Sequence, residues 1–387
     1  MAAVVLPTAG GGTERYTTGP ACPWPRSATP SASRTVYAAA HVVADARADH
    51  DPWVAPAIDW DATLRFRHHL WGLGLKVAEA MDTSQRGMGL DWPTALELVR
   101  RSVAEARTVP GADLACGVGT DQLEPRPGVT LDEVRAAYET QLEAVEAAGG
   151  RAILMASRAL VHAARSADDY LALYGRLISQ AKDKVVLHWL GPMFDPALAG
   201  YWGSADLDAA TGTVLQLLRA HAGRIDGIKI SLLDKERELA LRRQLPPDVM
   251  MFTGDDFNYA ELIEGDGERF SHGLLGIFDP TARAAAAALA ELDAGRIEAY
   301  RDILVPTVPL SREIFKAPTR FYKAGIVFLA WLDGHQDHFA MVGGLQSART
   351  ALHYAEVFRL ADKARLLADP ELAAARMRSL MAVHGIA

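Results

Sequence analysis

The sequence predicts an α/β protein built on a (β/α)8 TIM barrel, with an irregular N-terminal arm and a helical C-terminal extension. Short β-rich runs alternate with longer helical runs, and eight such pairs fit between residues 35 and 290. No GxGxxG or P-loop pattern follows the first strand, although an open doubly wound sheet often shows one. Of the 387 residues, 50% are hydrophobic and 23% are charged, which fits a globular chain with a large core.

The chain is expected to divide into three segments. Residues 1–34 form the arm, which is rich in Gly, Pro, Ser and Thr and lacks the apolar centre of a signal peptide. Residues 35–290 form the barrel. Residues 291–387 are mostly helical in pattern and would serve as a cap or as an oligomerisation element.

Eight runs of β-forming residues predict the barrel strands. They cover residues 34–45, 76–82, 112–119, 151–157, 184–191, 226–231, 249–256 and 269–278. The runs between them have apolar residues at helical spacing, and these predict helices over residues 60–74, 92–107, 130–148, 167–181, 205–222, 234–244, 259–265 and 280–295. The third helix begins with a capping-box pattern, Thr130 followed by Glu133.

Charge and hydropathy exclude several classes of partner. The net charge is −8 and the 40 basic residues form no block, so neither nucleic acid nor an anionic membrane surface is expected as a partner. No apolar run approaches the roughly 18 residues of a membrane span. The two cysteines, Cys22 and Cys116, lie far apart in sequence. A disulfide between them is one possibility. We expect instead that the protein lies in the cytoplasm, where reducing conditions keep thiols free.

A lysine interrupts the apolar run of the sixth strand, "DGIKIS". Alternate strand residues share a face, so Gly227, Lys229 and Ser231 point one way while Ile228 and Ile230 point the other. The isoleucines suit packing against outer helices, which places Lys229 inside the barrel, with space left by the glycine.

Burial would make the Lys229 amine a better nucleophile near neutral pH. Desolvation lowers the pKa of a lysine below its ordinary value of about 10.4, and the free amine attacks a ketone to form an iminium. The alternative is that Lys229 is ion-paired to an inward carboxylate and has no catalytic role.

Two short motifs resemble the dihydrodipicolinate synthase / N-acetylneuraminate lyase superfamily. "DGIKIS", followed by "TGDD" with Asp255 26 positions after Lys229, is similar to that superfamily's Schiff-base strand and seventh strand. The resemblance covers about residues 35–300 and implies a pyruvate-dependent class I aldolase on a (β/α)8 barrel. Longer runs, "VAEAMDTSQRGMGLDW", "LHWLGPMFDPALAGYWGS" and "GIKISLLD", resemble more closely a bacterial branch of it, the domain of unknown function 993.

The resemblance implies catalytic roles for four residues. Lys229 falls on the Schiff-base lysine. In "MDTSQRG", Thr83 and Ser84 fall on the paired hydroxyls of a Gly-Thr-Thr-Gly-Glu turn, which bind the 2-oxo acid carboxylate and relay a proton. In "LHWLGP", His188 falls on the tyrosine of a Tyr-Asn-x-Pro motif and Trp189 on its asparagine. An imidazole transfers protons near neutrality, so we expect His188 to take the acid–base role; the alternative is a structural histidine.

The chain departs from the superfamily pattern at the second-strand turn. Asp82 and Arg86 stand at the ends of that turn, where the superfamily has glycine and glutamate. A carboxylate at position 82 would repel a substrate carboxylate, unless it is turned away or paired with Arg86. This departure weakens the case for plain pyruvate as the substrate.

Further substrate-binding candidates follow other strands. Arg158 could clamp a carboxylate or phosphate, although a surface ion pair is the alternative. Asp255 and Asp256 could orient the pocket or could cap the next helix. Glu79 needs a partner, which Lys229 or His188 could supply. The substrate-binding set is therefore Arg158, Asp255, Asp256, Ser231, Trp189 and Glu79.

The loop over residues 192–204 is long for its position and carries Phe194, Tyr201 and Trp202. These aromatic residues could form a lid over the barrel mouth, or they could pack against a neighbouring subunit.

Three functions are compatible with these residues. The leading hypothesis is a Schiff-base-forming lyase or aldolase that acts through Lys229, without cofactor or metal, on a 2-oxo acid or a sugar-derived keto compound. The alternative is a metal-dependent isomerase or lyase in which strand-end residues hold Mg or Mn, namely Glu79, Asp82, His188, Asp255 and His272. The third is a barrel that binds a ligand without catalysis. By analogy with the superfamily we expect a homo-oligomer, a dimer or a tetramer.

Overall fold

Eight parallel strands close into a barrel, as the alternation along the sequence predicts. The computed structural model of the chain describes residues 2–386. The barrel strands are β3 (Val36–Ala39), β4 (Lys76–Glu79), β5 (Leu114–Val118), β6 (Arg151–Leu154), β7 (Val185–Leu190), β8 (Ile225–Ser231), β9 (Met250–Thr253) and β10 (His272–Leu275). They pair in chain order, and β10 closes the barrel against β3.

Helices connect the barrel strands in the predicted positions. They are α1 (Trp60–Gly72), α2 (Trp92–Ala106), α3 (Leu131–Ala148), α4 (Arg158–Ala163), α5 (Ala167–Gln180), α6 (Leu207–Ala220), α7 (Lys235–Arg242), α8 (Tyr259–Glu264) and α9 (Ala282–Asp293). The short α4 was not predicted. The capping box at α3 is present, because Thr130 and Glu133 each accept a hydrogen bond from the other's backbone amide.

Side chains of alternating strand positions build two separate apolar layers. Inside the barrel, Ala78, Ala115, Ile153 and Phe252 belong to one small cluster. The residues between them point outward and join the much larger core between barrel and helices, in which Ile228 lies. This period of two decides which polar residues can reach the barrel mouth.

The N-terminal arm contains a β-hairpin that the sequence did not predict. Strands β1 (Ala3–Pro7) and β2 (Thr13–Thr17) pair antiparallel. Val4 and Leu6 are buried on one face of β1, which is the alternation of a half-buried strand. The glycine-rich turn over residues 8–12 makes the hairpin possible, since Gly11 has a φ of 81°.

The C-terminal extension consists of five helices, α10 (Ile297–Leu304), α11 (Val308–Ile314), α12 (Tyr322–Leu332), α13 (Ala351–Lys363) and α14 (Pro370–Val383). The hairpin packs on α13 and α14. Asp362 of α13 accepts hydrogen bonds from the Tyr16 hydroxyl at 2.7 Å and from the Gly19 amide at 3.0 Å. The two ends of the chain are therefore held together beside the barrel.

Within residues 2–386, the structure contains no helix that is both long enough and apolar enough to cross a membrane. Cys22 and Cys116 are both free thiols.

Candidate active site

Lys229 lies on β8 and points into the barrel, as its strand alternation predicts. Its side chain is 7% exposed. No residue of the described chain forms an ion pair or a hydrogen bond with its amine. Burial lowers the pKa of Lys229 below its ordinary value, and the nearby carboxylates of Asp82 and Asp256 oppose that effect. The amine is thus desolvated but not locked to a partner.

Two glycines make room around this lysine. A Cβ at Gly254, just after β9, would lie 2.6 Å from Lys229 Cε. A Cβ at Gly227 would lie 2.6 Å from the ring of Phe252. The space that the sequence assigned to the lysine at Gly227 is therefore filled by the Phe252 ring, and Gly254 supplies the room instead.

His188 lies on β7 directly beside Lys229 in the strand pairing. Its Nε2 is 3.2 Å from Ser231 Oγ, and its Nδ1 is buried without a hydrogen-bond partner. Burial, with a smaller effect from the Lys229 charge, lowers the pKa of His188 well below its usual range. The ring is therefore neutral near pH 7 and has one nitrogen available to a bound molecule.

Glu79 does not face Lys229 or His188, and its predicted contact with substrate is wrong. It points outward from β4, because Ala78 occupies the inward position. Its carboxylate pairs with Arg67 of α1 through two hydrogen bonds, of 2.8 and 2.9 Å, and both side chains are fully buried. It also accepts a hydrogen bond of 2.9 Å from the Ala80 amide, at a residue with a φ of 52°. Glu79 therefore holds the turn that follows β4.

That turn places Thr83 at the barrel mouth. Thr83 lies in the short 3₁₀ turn Asp82–Ser84, and its Oγ1 is 2.9 Å from the hydroxyl of Tyr322, the first residue of α12. Burial, with a smaller effect from the Asp82 carboxylate, raises the pKa of Tyr322 well above its usual range. Ser84 is differently placed, because its hydroxyl donates to the Met81 carbonyl at 2.7 Å. Of the two predicted hydroxyls, Thr83 is the one that contacts a group at the mouth.

Asp82 and Arg86 do not pair with each other. Arg86 Nε donates to Asp121 at 2.9 Å, and a second nitrogen also donates to Asp121 and, at 2.8 Å, to Gln141. Its remaining nitrogen donates to the Ala80 and Gly117 carbonyls, each at 3.1 Å. All of the guanidinium donors are thus in use, and the Asp82 carboxylate has no hydrogen bond or ion pair to any described residue.

The two aspartates after β9 have different surroundings. Asp255 folds back on its own loop and accepts from the Phe257 amide and from the amide and side chain of Asn258, at 2.8 to 3.1 Å. Its oxygens therefore hold the loop that leads into α8, and its contact with substrate stays a prediction. Asp256 accepts a hydrogen bond of 3.0 Å from the Ile277 amide. Burial raises the pKa of Asp256 to about 7, while that amide and the Lys229 charge oppose the shift.

A cavity of about 240 Å³ opens at the carboxyl ends of β4 to β7. His188, Asp82 and Arg158 are among its lining residues. Arg158 does not end a strand, because it is the first residue of α4; its Nε donates to Asp195, another lining residue. The predicted clamp is thus partly occupied by a carboxylate of the protein itself.

Trp189 points away from the cavity, so its predicted contact with substrate is also wrong. His188 takes the inward position on β7, and Trp189 belongs to the core outside the barrel, where its ring lies 6.5 Å from that of Trp202. The aromatic residues of the loop over residues 192–204 likewise lie on two sides, one at the barrel mouth and two outside the barrel. Phe194 lies over the mouth, 6.3 Å from Phe315 and 6.1 Å from Tyr322 between ring centres, whereas Tyr201 and Trp202 pack outside the barrel.

The five side chains of the metal hypothesis do not converge. Glu79 pairs with Arg67 outside the barrel and Asp255 caps its own loop. His272 is the first residue of β10, at the opposite end of the barrel, and its Nδ1 accepts from the Thr35 amide at 2.8 Å. Among residues 2–386, no three His, Cys, Asp or Glu side chains lie together in an arrangement that could hold a metal ion.

The sequence did not identify two polar residues of the extension at the mouth, Tyr322 and Lys323. Lys323 is 4% exposed and its Nζ donates to the Arg320 carbonyl at 3.2 Å. Burial lowers the pKa of Lys323 to about 8, and the carboxylates of Asp82 and Asp195 oppose that effect. The sequence does contain a signal for Lys323. This lysine interrupts the apolar run "YKAGIVFLAWL", just as Lys229 interrupts the apolar run of its strand.

Comparisons with known proteins identify the family and the fold of the chain. A family model described as "Protein of unknown function (DUF993)" matches residues 4–386. No curated protein sequence matches the chain.

The fold is similar to that of several solved structures. Dihydrodipicolinate synthase from Bacillus clausii is 16% identical, with a TM-score of 0.62 over 85% of this chain and 97% of that one. YagE, a prophage protein of the dihydrodipicolinic acid synthase family from E. coli K12 in complex with pyruvate, is 12% identical, with a TM-score of 0.63 over 87% of this chain and 100% of that one. The chloride-inhibited dihydrodipicolinate synthase from Acinetobacter baumannii, complexed with pyruvate, is 14% identical, with a TM-score of 0.61 over 86% and 99%. At these identities the likeness shows the fold.

Proposed function

The chain belongs to the DUF993 family, and from its barrel mouth we propose that it is a Schiff-base-forming lyase or aldolase acting on a small keto compound. The observation that carries this proposal is the state of Lys229. Its amine is buried next to His188, which lines the cavity at the carboxyl ends of β4 to β7, and no acceptor among the described residues binds it. An amine of lowered pKa at this end of a (β/α)8 barrel is suited to nucleophilic attack.

The similar structures support a carbonyl compound as the substrate. YagE and the Acinetobacter baumannii synthase are each described in complex with pyruvate, a 2-oxo acid. By analogy, the cavity beside Lys229 would receive a 2-oxo acid or a related sugar-derived ketone. Fold similarity alone does not choose between these two, so the choice depends on the side chains of this chain.

In the proposed reaction, Lys229 Nζ attacks the substrate carbonyl carbon, and loss of water leaves an iminium. The iminium withdraws the electron pair of a neighbouring C–C or C–H bond, which breaks to give an enamine. Protonation of the enamine carbon and hydrolysis then release the product and regenerate the amine. Condensation follows the same steps in reverse.

Two groups are placed to move protons in this scheme. The neutral His188 ring lies beside Lys229 and has an unpartnered Nδ1. Thr83 and Tyr322 form a hydroxyl pair across the mouth. A phenol and an imidazole together could exchange a proton with the substrate near neutrality, with Ser231 orienting the imidazole.

Deuterium exchange tests the proposal without knowledge of the physiological substrate. An enamine exchanges the hydrogens next to the carbonyl with solvent, so proton NMR of pyruvate or hydroxyacetone in D₂O reports its formation. We expect the protein to accelerate this exchange and Lys229→Met to return it to the uncatalysed rate. Lys235→Met is the matched control, because Lys235 is a lysine in the helix after the same strand and pairs with Glu261 on the surface.

Three results would contradict the proposal. Exchange that persists in Lys229→Met would exclude the iminium, and exchange lost on adding a chelator would favour the metal-dependent alternative. Binding of both probes without exchange would favour the non-catalytic alternative.

A further inference from the structure

The carboxylate of Asp82 is the unpaired charge of the cavity wall. The other two lining aspartates are neutralised, Asp121 by Arg86 and Asp195 by Arg158. Asp82 lines the same cavity, and no cation of the described chain lies within ion-pair distance of it. An acceptor in this state is available to a donor on a bound molecule.

Asp82 also lies close to the reacting groups. Its charge acts on Lys229, on Lys323 and on the Tyr322 hydroxyl. It precedes Thr83 in the turn above β4, and it lines the cavity together with His188, the strand neighbour of Lys229. The hydrogen bond that the Ala80 amide donates to the Glu79 carboxylate fixes the start of this turn.

We propose that the substrate carries a hydroxyl, rather than a carboxylate, on the group next to the carbonyl that Lys229 attacks, and that Asp82 accepts a hydrogen bond from it. A substrate carboxylate at that place would meet a like charge that no cation of the described chain neutralises within ion-pair distance. Arg86 cannot relieve the repulsion, because its donors are all used by Asp121, Gln141 and two carbonyls. Between the two substrate classes of the proposed function, the site selects the hydroxylated ketone. This inference rests on that function.

Hydroxyacetone and pyruvate are a matched pair of probes, because they differ only in bearing CH₂OH or COO⁻ on the same methyl ketone. Each is incubated with the protein and cyanoborohydride, and the rate of adduct formation at Lys229 is measured by peptide mass spectrometry. The quantity compared is the ratio of the two rates, hydroxyacetone over pyruvate, in wild type and in Asp82→Asn. Asp226→Asn is the control, since Asp226 is on the same strand as Lys229 but at the opposite end of the barrel.

We expect the ratio to favour hydroxyacetone in wild type and to fall about tenfold or more in Asp82→Asn, with no change in Asp226→Asn. The Asp82 side chain has no hydrogen-bond or ion-pair partner among residues 2–386, so the substitution should leave the thermal midpoint unchanged. A ratio that favours pyruvate in wild type, or that Asp82→Asn leaves unaltered, overturns the inference while the Schiff-base function stands. Failure of both probes to form an adduct at Lys229 in either protein overturns the function and the inference together.

Discussion

The charge state of Lys229 is set by burial and by two neighbouring carboxylates. Burial favours the neutral amine, whereas the carboxylates of Asp82 and Asp256 favour the ammonium form. Asp256 itself gains or loses its proton near neutrality, since burial raises its pKa to about 7. The charge of the lysine therefore depends on whether this aspartate has already lost its proton.

Replacing Asp256 should make the amine reactive at lower pH. Asp256→Asn removes a carboxylate that stabilises the ammonium, so the pKa of Lys229 should fall further. The pH profile of adduct formation at Lys229 should then have its midpoint at lower pH than in wild type. Well below pH 7 Asp256 is protonated in wild type too, so the two proteins should become alike there. A midpoint that stays in place or rises would show that Asp256 does not act on the amine.

Removing the amine should stabilise the fold near neutrality. Because the pKa of Lys229 is lower in the folded chain, the unfolded chain binds more protons between the two pKa values, and wild-type stability rises with pH across that interval. Lys229→Met should raise the free energy of unfolding at pH 7 by about 1–3 kcal/mol, the usual cost of an unsatisfied buried polar group. Urea unfolding would measure it, and the gain should shrink as the pH rises toward the unfolded pKa, near 10.5, because the part of it that comes from the buried charge is lost. A loss of stability at pH 7 would indicate a favourable contact of the amine.

At the scale of elements, β4 and α1 are joined by the buried pair of Glu79 and Arg67. Breaking one side of a buried ion pair leaves an uncompensated charge. We therefore expect Arg67→Met to lower the free energy of unfolding by about 3–5 kcal/mol in urea titrations. Arg101→Met is the matched control, because Arg101 pairs with Glu97 on the surface and should cost about 0.5 kcal/mol or less. Equal losses in the two variants would contradict this account of the turn after β4.

The contact between the extension and the turn after β4 should matter for proton transfer and not for attack by the lysine. Tyr322 begins α12 and its hydroxyl contacts Thr83. Tyr322→Phe removes that hydroxyl and keeps the stacking on Phe315, whose ring centre lies 4.3 Å away. Solvent exchange should fall by about 10²-fold, a usual contribution of acid–base groups, while adduct formation at Lys229 continues. A parallel loss of both would mean that the phenol positions the lysine and does not transfer the proton.

Sequence patterns predicted most of the barrel strands and helices, but they gave the direction of only some of the candidate side chains. Period-two alternation correctly placed Lys229 and His188 inside the barrel, and the same rule excludes Trp189 and Glu79. Glu79 was misassigned because its partner, Arg67, comes from a helix, and strand periodicity carries no information about helix side chains. Tyr322 was missed because only the folded chain brings the extension over the mouth.

At the scale of the whole molecule, barrel, hairpin and extension share one core. Leu6 of the hairpin, Ile228 of the barrel and Phe358 of the extension belong to the same buried cluster. We expect heat unfolding to be a single transition with equal calorimetric and van't Hoff enthalpies. Differential scanning calorimetry checks this, and two resolved transitions would show that the extension folds apart from the barrel. A homo-oligomer, expected from the resemblance, stays a prediction that light scattering can test.

The mass of the reduced adduct shows whether Lys229 is the residue that bonds to the carbonyl compound. The protein is incubated with hydroxyacetone or pyruvate in the presence of cyanoborohydride, digested and mapped. We expect an added mass on the peptide carrying Lys229, formed faster there than on exposed lysines such as Lys235 and absent in Lys229→Met. Labelling of Lys323 or of surface lysines with residue 229 unmodified would contradict it.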